Sequence, residues 1–295
     1  MDQHVVVGYD GSPESVSAVR WAAHSARRLG RPLDVVHVWG LAGQLDLPPR
    51  GEASEYVRQG AQEVADEGAA LAREAAPDLP VTAVLEDGAP AAALVARSRG
   101  AMLLVLGRHG AGRLSGALLG SVSLGAVHHA TCPVVVVPKA EDDHRPTQGS
   151  VVVGVDGSAG ALGALDAAGR YATNTGSALT VVSAWEAPAK SRTMSYWLRA
   201  YPDASPGELA LQAAEDAQAP ARTWLASTYP HVTASFAVDE GRPTHVLARY
   251  AEHADLLVVG TRGRGGLTGL VLGSVSGWLV QHAACPVLVT RVPVT

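Results

Sequence analysis

Val5-Val6-Val7-Gly8-Tyr9-Asp10-Gly11-Ser12 decides the fold, because it occurs twice. Residues 151–158 read VVVGVDGS, so seven of eight positions match at an offset of 146. Each copy is a short apolar run, a glycine, and then Asp-Gly-Ser, which reads as a strand closing into a turn or a helix cap. A second block repeats further on. Gly107–Val137 lies on Gly260–Thr290 at an offset of 153, with 17 of 31 positions identical. A period near 150 residues is far longer than a solenoid repeat, so it marks two whole domains of one type. The offset grows by seven between the blocks, which places an insertion in the second half, within Pro188–Pro206.

The expected units are residues 1–140 and 149–295. Residues 141–148 form the linker, inside the charged stretch Lys139–Gly149 that lacks apolar periodicity. Length agrees, since 295 residues is two domains at about 150 residues each. With 47% apolar residues each half can bury a core, and a net charge of -5 argues against a general nucleic-acid coat. Two cysteines support neither a disulfide scaffold nor a four-cysteine zinc site. No basic n-region leads into an apolar h-region, and no run of about eighteen apolar residues occurs. A cytoplasmic protein without membrane or nucleic-acid contacts is the expectation.

Strand and helix signals alternate in each half. In the first, strands are expected at Val5–Gly8, Leu33–Trp39, Val81–Leu85, Ala101–Leu106 and Val134–Val137. Helices are expected at Ser12–Leu29, Ser54–Ala76, Pro90–Arg99 and Ala117–Ala130, the first with Ser12 as N-cap and Pro13 after it. The second half repeats the plan, with its fourth strand at Asp255–Val259 and its fifth at Val287–Val289. This is an α/β chain of two tandem Rossmann-like domains, each a five-stranded parallel sheet of order 3-2-1-4-5. In that order a crevice opens between strands 1 and 4, at their carboxyl ends.

The loops at that crevice carry the polar and glycine residues. After strand 1 come Gly8-Tyr9-Asp10-Gly11-Ser12 and Gly154-Val155-Asp156-Gly157-Ser158. After strand 4 come Gly107-Arg108-His109-Gly110, nine residues, then Gly120-Ser121; the second half has Gly260-Thr261-Arg262-Gly263, nine residues, then Gly273-Ser274. Glycines admit close backbone approach to an anion, and a helix N-terminus favours one. Ser121, Ser123, Ser274 and Ser276 offer hydroxyl donors, and Arg108, Arg113, Arg262 and Arg264 offer charge. Asp10 and Asp156 suit ribose hydroxyls, a base amine, or magnesium held through water. Turns and helix caps alone give the same residues singly; their meeting at the switch point, twice, favours phosphate binding.

The spacing G-x2-G-x9-G-[S/T], complete in both halves, resembles the ATP-binding class of universal stress proteins. The opening VVVGYDGS and the endings HATCPVVVV and HAACPVLVT are similar as well. The resemblance covers nearly the whole chain and implies one ATP per half. It places Asp10, Asp156, Gly8 and Gly154 beside adenine and ribose, and Val38 and Ala184 near the base. It wraps Gly107–Gly110 and Gly260–Gly263 around ribose and phosphates. Gly120, Ser121 and Val122, like Gly273, Ser274 and Val275, hold the phosphates. It also implies dimerisation through the fifth strand, so that the halves pair as a pseudo-dimer and two chains associate as a homodimer. The first half departs in having His109 and Ala111 where the second has Arg262 and Arg264, which points to tighter binding in the second.

Neither a Walker A loop, nor G-x-G-x-x-G after strand 1, nor H-E-x-x-H, nor C-x-x-C is present. Adjacent His128 and His129 diverge by about 100° on a helix, so no metal site is expected there. Cys132 and Cys285 read as small core hydrophobes or redox sensors, and Trp39 and Trp185 as packing or base-stacking residues. No base or phosphoryl-stabilising constellation assembles from the sequence, so no catalytic residue is assigned and hydrolysis is expected to be slow or absent. The expected function is a nucleotide-dependent regulator or sensor in stress response, acting on an unidentified protein partner. A slow ATPase or phosphotransferase and a nucleotide-free scaffold are the alternatives.

Overall fold

The computed structural model describes residues 3–40, 52–111, 119–139, 149–187, 196, 198–201, 205–263 and 272–290. The first half runs β1 (Val5–Gly8), α1 (Pro13–Leu29), β2 (Leu33–Trp39), α2 (Glu52–Ala75), β3 (Val81–Asp87), α3 (Pro90–Arg97), β4 (Leu103–Gly107), α4 (Ser121–His129) and β5 (Val134–Val137). The second runs β6 (Ser150–Gly154), α5 (Ala159–Thr175), β7 (Ala178–Trp185), α6 (Pro206–Thr228), β8 (Ala234–Glu240), α7 (Pro243–Ala251), β9 (Leu256–Gly260), α8 (Ser274–His282) and β10 (Val287–Thr290).

Local chemistry sets the element ends. Ser12 is extended and its Oγ accepts the Ser15 N–H at 3.2 Å, with Pro13 next, so α1 begins where its orphan donors are met. Ser158 caps α5 in the same way through the Ala161 N–H at 3.2 Å. The valine-rich strands are buried on both sides, as parallel strands between two helical layers must be.

The ten strands among the described residues form one sheet, in the order β3-β2-β1-β4-β5-β10-β9-β6-β7-β8. Each half therefore has the expected 3-2-1-4-5 order with parallel pairing. The halves join where β5 meets β10 antiparallel, with Val134, Val135 and Val136 opposite Val289, Leu288 and Val287. Strand alternation splits the core into two layers. Val5, Val7, Val135 and Leu288 face α1, α2, α5 and α6, while Val6, Leu104, Val136 and Val287 face α3, α4, α7 and α8. Both layers run across the seam without a break. Across it, buried Ser25 and Tyr171 share a hydroxyl hydrogen bond of 2.9 Å, and the Arg28 Nη2 donates to the Thr175 carbonyl at 2.9 Å and to the Ser177 Oγ at 2.8 Å.

The fourth helix differs from its expected span. Ala117 lies outside the described residues, Leu119 and Gly120 are not helical, and α4 begins at Ser121. The Gly120 N–H is held by the Arg108 carbonyl at 2.9 Å, so a tertiary hydrogen bond keeps Gly120 extended where composition alone favoured helix. Most of the insertion at 188–206 lies outside the described residues.

Candidate functional site

β1 and β4 are hydrogen-bonded neighbours, as are β6 and β9. The loops leaving their carboxyl ends meet at the switch point of each half. In the first, Asp10 ties them together. Its Oδ1 accepts the Ser12 N–H at 3.0 Å and its Oδ2 accepts the Ala111 N–H at 2.8 Å, joining the loop after β1 to the loop after β4. Burial pushes this carboxyl up, but the hydrogen bonds from Ser12, Ala111 and Ser15 more than offset it, and its pKa lies below the ordinary aspartate value. In the second half the Asp156 Oδ1 accepts the Ser158 N–H at 3.0 Å. These contacts explain the second glycine of the motif. A Cβ on Gly110 would lie 2.6 Å from the Asp10 Oδ2, and one on Gly263 would lie closer still to the Asp156 Oδ2. The sequence suggested close approach to a ligand; the observed close approach is to the aspartate.

The helices that follow these loops differ at their N-termini. α1 and α5 are capped by Ser12 and Ser158. The N-caps of α4 and α8 are Gly120 and Gly273, and among the described residues no side chain caps either helix. Their first-turn N–H groups keep the positive end of the helix dipole open to an anion. Ser121 and Ser274 are exposed at the first helical position, followed by half-buried Val122 and Val275. Ser123 and Ser276 are buried and point inward. The Ser123 Oγ donates to the Gly107 carbonyl at 2.6 Å, and the Ser276 Oγ donates to the carbonyls of Thr261 at 3.1 Å and Gly273 at 3.2 Å. These two hydroxyls hold each helix to the loop before it.

The second half carries a cavity of about 760 Å³. Ten of its twelve expected site residues line it: Gly154, Asp156, Ala184, Gly260, Arg262, Gly263, Gly273, Ser274, Val275 and Ser276. Thr261 does not; its N–H donates to the Thr290 carbonyl at 2.8 Å and its carbonyl accepts the Gly273 N–H at 2.8 Å, which closes the loop. Arg264 lies outside the described residues, as does Arg113 in the first half. The cavity also takes in residues the sequence reading missed. Glu186 follows β7, Leu247 lies on α7, and Ala210, Ala213, Ala214 and Ala217 lie on α6; Trp185, read as a packing or base-stacking residue, is in the wall as well. The alanines fall at i, i+3, i+4 and i+7, one helix face, and that spacing was the available signal.

In the first half Gly8 is buried, Val38 packs on the core layer beneath α3 and α4, and His109 and Gly110 are half-buried on the same loop as Gly107. Two side chains break the symmetry. Tyr9, which replaces Val155, is buried and its hydroxyl donates to the Glu67 Oε1 at 3.0 Å; burial first, then this bond and the charge on Glu67, push its pKa up to about 12. Arg108 turns away from the crevice. Its Nη2 donates to the Ala283 carbonyl of the other half at 2.6 Å, its Nε is buried without a hydrogen-bond partner among the described residues, and burial pulls its pKa down.

Cys132 and Cys285 are free thiols, half-buried and buried, and burial pushes both up to about 12. Among the described residues no group of three or more His, Cys, Asp or Glu side chains is placed to hold a metal ion. Among them, too, no helix is long and apolar enough to cross a membrane.

The model of the Universal stress protein family matches residues 1–138 and again 149–291. A universal stress protein of Mycobacterium tuberculosis H37Rv is 33% identical over 300 residues, covering 99% of this chain and 97% of the relative. One from Mycobacterium bovis is 36% identical over 300 residues, covering 98% and 97%. In fold, the crystal structure of a universal stress protein from Archaeoglobus fulgidus superposes with a TM-score of 0.66 at 22% identity, covering 99% of this chain and 97% of that one. With two matches in tandem and full-length relatives of the same size, this chain belongs to the universal stress protein family.

Proposed function

We propose that the chain binds ATP, one molecule in each half, and acts as a nucleotide-dependent regulator or sensor in stress response. The observation that carries this reading is the uncapped N-terminus of α8, which opens on a cavity of about 760 Å³ with Asp156 also in its wall. That volume falls within the roughly 300–1,000 Å³ of small-ligand sites. The apolar wall of Ala184, Leu247 and Val259 suits a base. The α8 N-terminus and Arg262 suit phosphates, and magnesium would enter with the triphosphate. Gly120, Ser121 and Val122 at α4 offer the first half the same turn. Arg262 lines its cavity whereas Arg108 points across the seam, so the second site is the tighter of the two.

The reading assigns no catalytic residue; ATP acts by stabilising the loops and so changing the surface offered to a protein partner. It places the protein in the cytoplasm, with residues 1–140 and 149–295 as its two units, 141–148 as their linker, and two chains in a homodimer. The test is to denature freshly purified protein, identify any released nucleotide by mass spectrometry, and measure the melting temperature with added ATP. Saturating ATP at about 100 Kd is expected to stabilise the fold by about 2.7 kcal/mol for each occupied site. Steady phosphate release would favour the slow ATPase or phosphotransferase. No released nucleotide and no thermal shift would leave the scaffold.

A further inference from the structure

We propose that Arg108 couples the two nucleotide sites, so that occupancy of the first tightens the second. This deepens the ATP-binding reading and rests on it. Arg108 touches one end of the binding helix of each half. Its carbonyl accepts the N–H of Gly120, the N-cap of α4, at 2.9 Å, and its Nη2 donates at 2.6 Å to the carbonyl of Ala283, the C-cap of α8. α8 is nine residues long, about 13.5 Å at 1.5 Å per residue, and its other end is the N-terminus that opens on the second cavity. One residue therefore holds the anion turn of the first half by its backbone and the rear of the second half's binding helix by its side chain.

Only the first half supplies the side chain of this link. The counterpart of Arg108 is Thr261, which makes the same backbone bonds, its N–H to the Thr290 carbonyl and its carbonyl to the Gly273 N–H. Its hydroxyl, one bond beyond Cβ, lacks the reach of a guanidinium across the seam. Among the described residues the guanidinium of Arg108 hydrogen-bonds to Ala283, and its Nε is buried and unpaired. A triphosphate in the first half binds the anion turn that the Arg108 backbone holds, and leaves the bond to Ala283 in place. It orders the loop Gly107–Gly110 and fixes the positive charge at the C-terminus of α8, where the helix dipole favours it. A helix held at its rear presents its N-terminal N–H groups with less motion, and phosphate binding there costs less ordering. Coupling is reciprocal, so the second site tightens the first by the same factor.

The experiment titrates the full chain with ATP by calorimetry in four forms. Ser121→Glu blocks the first site by charge and Ser274→Glu blocks the second, each leaving one site to measure alone. Wild type then reports whether two ligands bind more tightly than those separate constants predict. We expect about a five-fold enhancement, at the low end of typical couplings, and its loss in Arg108→Met. Two independent sites in wild type overturn the coupling while leaving ATP binding intact; no ATP binding in any form overturns the functional reading instead. If Arg108→Met does not fold, hydrogen exchange on Ser274→Glu decides. ATP in the first site alone should slow exchange at the α8 C-terminus around Ala283, and unchanged exchange there would contradict the proposal.

Discussion

Single residues at the crevice do two jobs, and their pH behaviour separates them. Asp10 holds two loops through backbone N–H groups. Its pKa is lowered in the folded state, so its contribution is present above the ordinary aspartate value of about 4 and is lost as pH falls through the folded pKa. Asp10→Asn keeps the shape but not the charge. It should cost about 1 kcal/mol, allowing for solvent screening at this exposed residue, and should flatten the acid limb of a melting-temperature profile. An unchanged acid limb would show that the aspartate does not staple the loops. Tyr9 has the opposite sign. Raised to about 12, it favours the fold below its unfolded value of about 10 and loses that contribution as pH rises from there towards 12. Tyr9→Phe should remove this alkaline loss, read as denaturant midpoints between pH 9 and 11. The thiols make a third check. Both lie at about 12, so neither thiolate forms near neutrality. A disulfide reagent at pH 8 should label both only after denaturation, and fast labelling of the native protein would restore the redox-sensor reading.

Elements explain where the sequence was legible and where it was not. The caps Ser12 and Ser158 were readable because capping is local: serine before a helical period, with proline following in the first copy. The start of α4 was not, because Gly120 is kept out of the helix by the carbonyl of Arg108, twelve residues away, a bond that no propensity reports. The cavity's α6 wall was missed because alanine at helical spacing reads as ordinary core, and only the position of α6 over β7 makes it a wall. The loop of Arg108 suggests a phosphate-binding residue, but its side chain leaves for the other half. The division between capped and uncapped helices yields its own prediction. Ser274→Glu adds an acidic residue to the first turn of α8, which should stabilise the ligand-free protein by about 0.3–1 kcal/mol while weakening phosphate binding there. A variant that melts higher without ATP and gains less from it meets both expectations. Equal gain with and without the glutamate would remove α8 from the site.

At the scale of the whole molecule the repeat becomes one object. The sequence marked two similar halves, and the family resemblance suggested pairing through the fifth strands. What neither displayed is that the core layers continue through the seam, with Val135 opposite Leu288 and both buried. The Ser25–Tyr171 bond crosses the same seam. Ser25→Ala leaves the Tyr171 hydroxyl buried without that partner and should cost about 1–3 kcal/mol. Because the layers are shared, calorimetry should show both halves melting in one transition that shifts as a unit in this variant. Two separable transitions, only one of them shifted, would mean that the halves fold independently and merely touch.

The central claim is that each half holds one ATP at the uncapped helix of its own switch point. Calorimetric stoichiometry tests it most directly. The account predicts two ATP per chain in wild type, one in Ser121→Glu, one in Ser274→Glu and none when both are combined. Saturable binding that keeps its stoichiometry in the double variant, or no binding by the wild type, would contradict it.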